Sequence, residues 1–312
     1  MDLTQCLRKK SCILMEGALG ERLKREYRLT FDENIAMAGL VRTESGRHAL
    51  QALWMEYADI AKRHQLPFLA TTPTRRANRE RMEKACCDAD LIYENVEFLK
   101  AVRQASGAEM FCGGLMGCRG DAYTGIGALS EKEAAELHQW QAAAFQEAGA
   151  DFLYAGIMPT LPEAAGMAHA MAKTGLPYII SFTIQADGRL IDGTTIHDAV
   201  TYIDGTADPK PLCYMTNCVH PRIVYQALMQ PFNRTDTVQE RFLGIQGNTS
   251  PLSYKELDNA VRLYSSEPAS FAEEMTALRE ISNIKIFGGC CGTDRRHMEA
   301  IAAALSRKEK AL

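Results

Sequence analysis

No apolar run in this chain approaches the ~20 residues a helix needs to cross a bilayer, which argues against a membrane partner. The first ten residues, Met1 to Lys10, lack the apolar core and small-residue cleavage site of a secretory signal. Charge of one sign is also missing. Lys and Arg number 35 against 39 Asp and Glu, for a net charge of -4 and a pI near 6.0, so no basic face offers itself to nucleic acid. There is no H-E-x-x-H, no G-x-S-x-G and no evident nucleophile triad. No G-x-G-x-x-G follows the first apolar run, and Gly17-Ala18-Leu19-Gly20 is too sparse to cradle a pyrophosphate. Low-complexity segments and long linkers are absent as well. Residues 204–211 are rich in turn formers but short, and read as a helix-to-strand loop. The expectation is one domain over residues 1–312, working in the cytoplasm.

Short apolar runs do alternate with helical patterns along the whole chain. Strands are expected at Cys12–Leu19, Pro67–Thr72, Glu109–Leu115, Asp151–Gly156, Pro177–Thr183, Pro211–Asn217, Arg241–Gln246 and Ile284–Gly288. Between them, Leu50, Leu53, Trp54, Tyr57 and Ala58 keep helical spacing, as do Ala134, Leu137, Trp140 and Gln141. Ser130 with Glu133 three residues on has capping-box spacing. Trp54 and Trp140 read as core-facing helix residues. Eight strands alternating with helices favour parallel βαβ units, and eight such units at this length suit a closed (β/α)8 TIM barrel. An open doubly wound sheet is the alternative. In a barrel the site lies at the C-terminal strand ends. Glu16-Gly17, Thr71-Thr72, Gly113-Gly114, Gly156, Ser181, Asn217-Cys218, Gln246-Gly247-Asn248 and Gly289-Cys290-Cys291 all fall at or just past those ends.

The ten cysteines suggest a reducing compartment, where thiols serve metal binding or catalysis. Cys218 closes one strand, and Cys290-Cys291 sit between glycines after another. Three thiolates with one open position describe a Zn2+ site that takes a substrate as its fourth ligand. Such a site carries surplus negative charge, ionises a bound thiol at neutral pH and leaves its sulfur electron-rich. That suits alkyl transfer to a thiol better than hydrolysis. A Cys290–Cys291 vicinal disulfide or redox pair is the competing reading, although adjacent cysteines bridge poorly. Cys86-Cys87 reads as an ordinary pair on a helical stretch Arg79–Asp90. Cys112 and Cys118 read as barrel and loop residues, and Cys6, Cys12 and Cys213 as packing. His220 and His297 lie near the thiolates in sequence, but each begins a helical segment and reads as a loop or cap residue.

From Glu16-Gly17-Ala18-Leu19-Gly20 to Gly289-Cys290-Cys291-Gly292-Thr293, the chain resembles the homocysteine S-methyltransferase family. The resemblance implies a (β/α)8 barrel with zinc on Cys218, Cys290 and Cys291, at the C-terminal strand ends. It also implies that Asn248, in Gly247-Asn248-Thr249-Ser250, helps at the open metal position. The implied reaction moves a methyl group from a sulfonium or ammonium donor to homocysteine, giving methionine. The expected partners are therefore a small-molecule thiol and a methyl donor; association with further copies of the chain is left open. Two positions depart from the family pattern. Glu16 stands where an aspartate is usual. Gly156-Ile157-Met158-Pro159 stands where Glu-Thr-Ile-Pro is common, removing a carboxylate that helps hold the amino acid. Glu16 is then expected to face the substrate ammonium alone. The alternatives are a different thiol, or a barrel that binds zinc and thiol without turnover. A cationic donor favours aromatic faces, and Tyr123 is a candidate rim residue, with a packing or loop role equally open.

Overall fold

The computed structural model describes residues 1–251 and 266–309. Eight strands close into one parallel barrel in sequence order. They are β1 Ile13–Met15, β2 Phe68–Thr71, β3 Met110–Gly117, β4 Phe152–Met158, β5 Tyr178–Phe182, β6 Cys213–Val219, β7 Phe242–Gly247 and β8 Ile286–Gly289. The last strand pairs with the first through Ile13 with Ile286 and Leu14 with Phe287. The helices are α1 Leu3–Lys9, α2 Gly20–Arg25, α3 Glu44–Arg63, α4 Arg79–Lys84, α5 Asp90–Ser106, α6 Glu131–Glu147, α7 Leu161–Ala172, α8 Ile196–Thr206, α9 Pro221–Leu228 and α10 Asp236–Arg241. Two more follow, Pro268–Ala277 and Arg295–Glu309. None of the described helices is long and apolar enough to cross a membrane.

The period-two alternation of the strands sorts their side chains into two cores. Ile13, Met15, Leu69, Phe111, Phe152, Tyr154, Ile179, Cys213, Met215 and Ile286 fill the barrel interior. Leu3, Cys6 and Leu7 of α1 pack onto that cluster, so α1 plugs the N-terminal end. Leu14, Phe68, Ala70, Ile180, Tyr214 and Phe287 face the helices instead. Complete burial of a ring such as Phe152 is worth about 1.5–3 kcal/mol, so both layers hold the frame firmly. The plugged end leaves the C-terminal end as the mouth.

Each expected strand is present, with shifted ends. β1 stops at Met15, because Glu16 turns its carboxylate to side-chain partners and Gly17 passes against the Tyr57 ring. β3, β4 and β6 run further than expected. Gly113 and Gly114 therefore lie inside β3 rather than at its end. A Cβ on Gly113 would lie 2.4 Å from the Phe152 ring, and one on Gly114 2.5 Å from Phe145, so these glycines make room for aromatic packing. The helical stretch expected over Arg79–Asp90 is broken. Cys86 takes φ 52, its N–H bonds Glu83 O and that of Cys87 bonds Met82 O, which closes α4 in a Schellman turn. The capping box of Ser130 and Glu133 is present at the start of α6. Trp54 is fully buried and Trp140 partly so.

Candidate metal centre

Cys218 reaches the mouth through a distortion of β6. The register with β7 slips between Asn217 and Val219, and Cys218 takes φ 64. A bulge re-aims a side chain, and a left-handed non-glycine residue stores about 1–3 kcal/mol, a cost that persists where the surroundings over-determine it. Cys290 and Cys291 are placed by the end of β8. Gly289 N–H donates to Glu16 O at 3.0 Å and Cys290 N–H to Gly247 O at 2.7 Å. Gly289 cannot carry a side chain, since a Cβ there would lie 2.4 Å from Thr293 Oγ1. That hydroxyl donates to Cys290 O at 2.7 Å and accepts the Ala18 N–H at 3.0 Å. Gly292 turns at φ 82 and gives its N–H to Glu21 Oε2 at 2.7 Å.

These restraints bring Cys218 Sγ to 3.6 Å from Cys291 Sγ. All three sulfurs lie within 4.8 Å of one another, and among the described residues they form the one such group of metal-binding side chains. A tetrahedral zinc with bonds of ~2.3 Å would space its sulfurs ~3.8 Å apart, so this donor set fits the ion and leaves a fourth position. The bare cluster cannot carry three charges. S–H donation from Cys290 and Cys291 draws the Cys218 thiol well below its ordinary value, and that same donation pushes Cys290 and Cys291 up. A bound dication reverses this balance by replacing the shared protons.

Two further groups touch Cys218. Tyr123 Oη donates to its sulfur at 3.5 Å, and the Cys218 charge, then burial, raises the phenol so that it remains a donor. Asn248 holds its Nδ2 3.8 Å from the same sulfur, while its Oδ1 accepts Ser250 N–H at 2.9 Å. The loop bearing Tyr123 is pinned at both ends by Glu163, a fully buried carboxylate on α7. Glu163 accepts from Arg119 N at 2.6 Å and Leu129 N at 3.4 Å, with His138 Nε2 at 3.4 Å.

Glu16 lies buried beside β8. Its Oε2 accepts the Trp54 indole N–H at 2.7 Å; its Oε1 accepts the Thr71 hydroxyl at 2.5 Å and the Thr71 N–H at 3.1 Å. Burial pushes the carboxyl up to about 7, although the Thr71 and Trp54 hydrogen bonds pull the other way. Next to it Tyr154 Oη donates to Gln246 Oε1 at 2.8 Å. Asn217 Oδ1 accepts the Ser181 hydroxyl at 2.6 Å and the Ile157 N–H at 3.0 Å. The second bond holds Ile157 at φ 57, where β4 slips register against β5 between Ala155 and Met158.

Sequence reasoning named the three cysteines, Glu16, Asn248 and Tyr123, and all reach the mouth. It placed Asn217 and Gln246 at the strand ends of the mouth without a chemical role, and passed over Tyr154 and Glu163. Strand alternation was the available signal for Tyr154, two residues from the inward Phe152. His220 instead caps α9, accepting Arg222 N–H, and His297 lies within 2.8 Å of Asp294 and 2.9 Å of Ser266 O. None of the ten cysteines is disulfide-bonded; Cys112 and Cys213 lie on barrel strands, where burial pushes each thiol up to about 12.

A closed parallel barrel with three cysteine sulfurs gathered at its C-terminal mouth defines a cysteine-site (β/α)8 protein. Residues 13–305 match the family model described as homocysteine S-methyltransferase. The chain belongs to that family. One relative is homocysteine S-methyltransferase YbgG of Bacillus subtilis (strain 168), 27% identical over 194 residues. That alignment covers 59% of this chain, and the chain spans 56% of the relative's length. The fold is shared with the homocysteine methyltransferase MmuM of Escherichia coli at 20% identity. Its oxidised form gives a TM-score of 0.75 and its metallated form 0.74, each covering 95% of this chain and 97% of MmuM.

Proposed function

We propose that the chain transfers a methyl group from a sulfonium or ammonium donor to a thiol, homocysteine, giving methionine, with zinc held by Cys218, Cys290 and Cys291. The observation that carries this reading is the sulfur triad within 4.8 Å at the barrel mouth. Zinc there supplies an open fourth position that ionises the acceptor thiol. The protein's own groups do the rest. Asn248 and Tyr123 flank Cys218 and border the open position. Glu16 offers the ammonium of the amino acid a counter-charge once it is deprotonated, above about pH 7. The acceptor sulfur attacks the methyl carbon in line; the new S–C bond forms as the carbon leaves the donor heteroatom, which keeps the electron pair. The thiol proton has already gone to solvent, so no general acid is required.

The unbridged thiols agree with a reducing cytoplasm as the place of action, and one domain over residues 1–312 with the closed barrel. Purified protein is expected to hold about one zinc per chain. Homocysteine supplied with S-methylmethionine, S-adenosylmethionine or betaine is expected to yield methionine with at least one donor. Zinc-loaded protein that binds homocysteine yet forms no methionine with any of the three would leave a thiol-binding barrel without turnover.

A further inference from the structure

At the end of the barrel away from the sulfurs, α1 does not cover every strand. A cleft of about 680 Å3 opens between Leu7 and Arg8 of that helix and the starts of β5 to β8. Small-molecule sites span about 300–1,000 Å3, so the size suits a ligand rather than a few waters. Its floor is apolar. Leu7 and Leu243 belong to the buried cluster of the barrel interior, and Leu212 packs against that cluster. Around this floor stand four cationic side chains, Arg8, Lys210, Arg241 and Lys285, and no carboxylate lines the cleft with them.

Two of the charges are fixed at its walls. Lys285 Nζ donates to Leu7 O at 3.0 Å. Arg241 donates to Pro211 O at 2.6 Å and to Leu212 O at 3.3 Å, and all three acceptors belong to lining residues. Arg241 also holds Asp204 at 2.7 Å, which offsets part of its charge. Arg8 and Lys210 are exposed and have no hydrogen-bond or ion-pair partner among the described residues. Other carboxylates at this end have partners of their own. Asp2 caps α1 at the Gln5 N–H, Glu109 lies 3.8 Å from Lys10, and Asp151 lies 2.7 Å from Arg103. Asp208, next to Pro209 in the chain, is a single acid set against this group of cations.

We propose that this cleft is a second binding site, for a phosphate monoester with an apolar body. Guanidinium and ammonium groups together suit phosphate oxygens, and a monoester is close to a dianion at neutral pH, which several cations hold better than they hold one carboxylate. The phosphate lies among Arg8, Lys210, Arg241 and Lys285, and the body lies on Leu7, Leu212 and Leu243. The site is separate from the sulfur triad, so it stands whether or not the thiol-transfer reading does.

Calorimetric titration of the full chain at pH 8 with phenyl phosphate, inorganic phosphate and phenylacetate tests it. Phenyl phosphate should bind about tenfold or more tighter than either of the others, since one lacks the apolar body and the other the second charge. Arg8→Glu combined with Lys210→Glu should weaken phenyl phosphate by at least about tenfold. Both side chains are exposed, so an unchanged melting temperature is expected to show that this variant is folded. The same charge change made away from the cleft, Lys84→Glu with Lys132→Glu, should leave binding within about twofold. Three results overturn the proposal: no binding of phenyl phosphate to the unmutated protein, equal binding of inorganic phosphate or phenylacetate, or equal weakening by the two charge reversals. Displacement of phenyl phosphate by homocysteine would place the anion in the mouth and overturn it as well.

Discussion

The β6–β8 side of the mouth and the β3–β4 side are built on opposite principles. On the first, three sulfurs are fixed by a bulge, a left-handed cysteine and a mesh of backbone bonds from β1, β7 and β8. On the second, Gly117 and Gly156 stand side by side; the stem of Arg75, from the loop after β2, passes Gly117, and Leu115 fills the space beside Gly156. A metal tolerates little error in donor position, so its side is rigid and spends strain to be so. The other side is built by omission: the glycines leave out side chains where Arg75 and Leu115 pack.

The largest expected effect breaks the rigid side. Cys218→Ala should lower bound zinc from about one per chain to a small fraction, and cut methyl transfer by roughly a thousandfold or more. The melting temperature should change by only a few degrees, because the barrel cores do not include the sulfur cluster. Elemental analysis with a thermal melt checks both. Stoichiometric zinc in Cys218→Ala would end the ligand assignment.

Next comes Glu16, which lies between the two sides. Glu16→Gln should reduce homocysteine use by about tenfold to a hundredfold with zinc content unchanged. The pH dependence has a definite sign. With the folded carboxyl raised to about 7, the group is neutral below that pH and supplies its counter-charge above it. The KM for homocysteine should therefore rise as pH falls through about 7 in the unmutated protein and lose that dependence in Glu16→Gln. Stability runs the opposite way. A raised carboxyl contributes fully below its unfolded value, and that contribution is lost as pH rises through about 7. Thr71 and Trp54, which hold the carboxylate, and nearby Tyr57 bear no charge that would cancel this trend.

The asymmetry between the sides also decided what was legible in the sequence. Gly288-Gly289-Cys290-Cys291-Gly292-Thr293 is contiguous, with Gly289 required by Thr293 four residues on and Gly292 by its turn at φ 82, so the motif announces itself. The eight strands were legible for a similar reason, since an apolar run bounded by turn residues is a local signal. Strand ends were less so. β1 stops early because of Trp54 and Thr71, and Cys86 ends α4 although no glycine marks the turn. Arg75 and Glu163 were invisible because their meaning lies in partners from other elements. Arg75 crosses Gly117, and Glu163 takes backbone N–H groups at residues 119 and 129.

Glu163 gives a third test, of intermediate size. Glu163→Ala leaves the Arg119 N–H without its side-chain acceptor, a loss of about 1 kcal/mol, and unties the loop that carries Tyr123. Faster hydrogen exchange over residues 119–129 is expected, together with a fall of several-fold in methyl transfer. Exchange at the level of the unmutated protein would show that the loop is held by Asp121 and its own turns instead.

The smallest expected effect belongs to Tyr123→Phe, and it separates support of the metal from support of the substrate. The ring stays in place, so packing is retained and only the O–H donated to Cys218 Sγ at 3.5 Å is lost. A donor to a metal-bound thiolate offsets part of its charge, and loss of such outer contacts typically changes metal affinity by about tenfold or more. At 3.5 Å this contact is long, so a decrease in zinc affinity of about tenfold at most is expected, read by competition with a chelator. The affinity for homocysteine should move little, because Glu16 lies elsewhere in the mouth. If Tyr123→Phe instead left zinc affinity untouched and raised the KM of the methyl donor, the phenol would belong to the donor's path. The rigid side of the mouth would then end at Cys218 and Asn248, and the Glu163-anchored loop would join the opposite side.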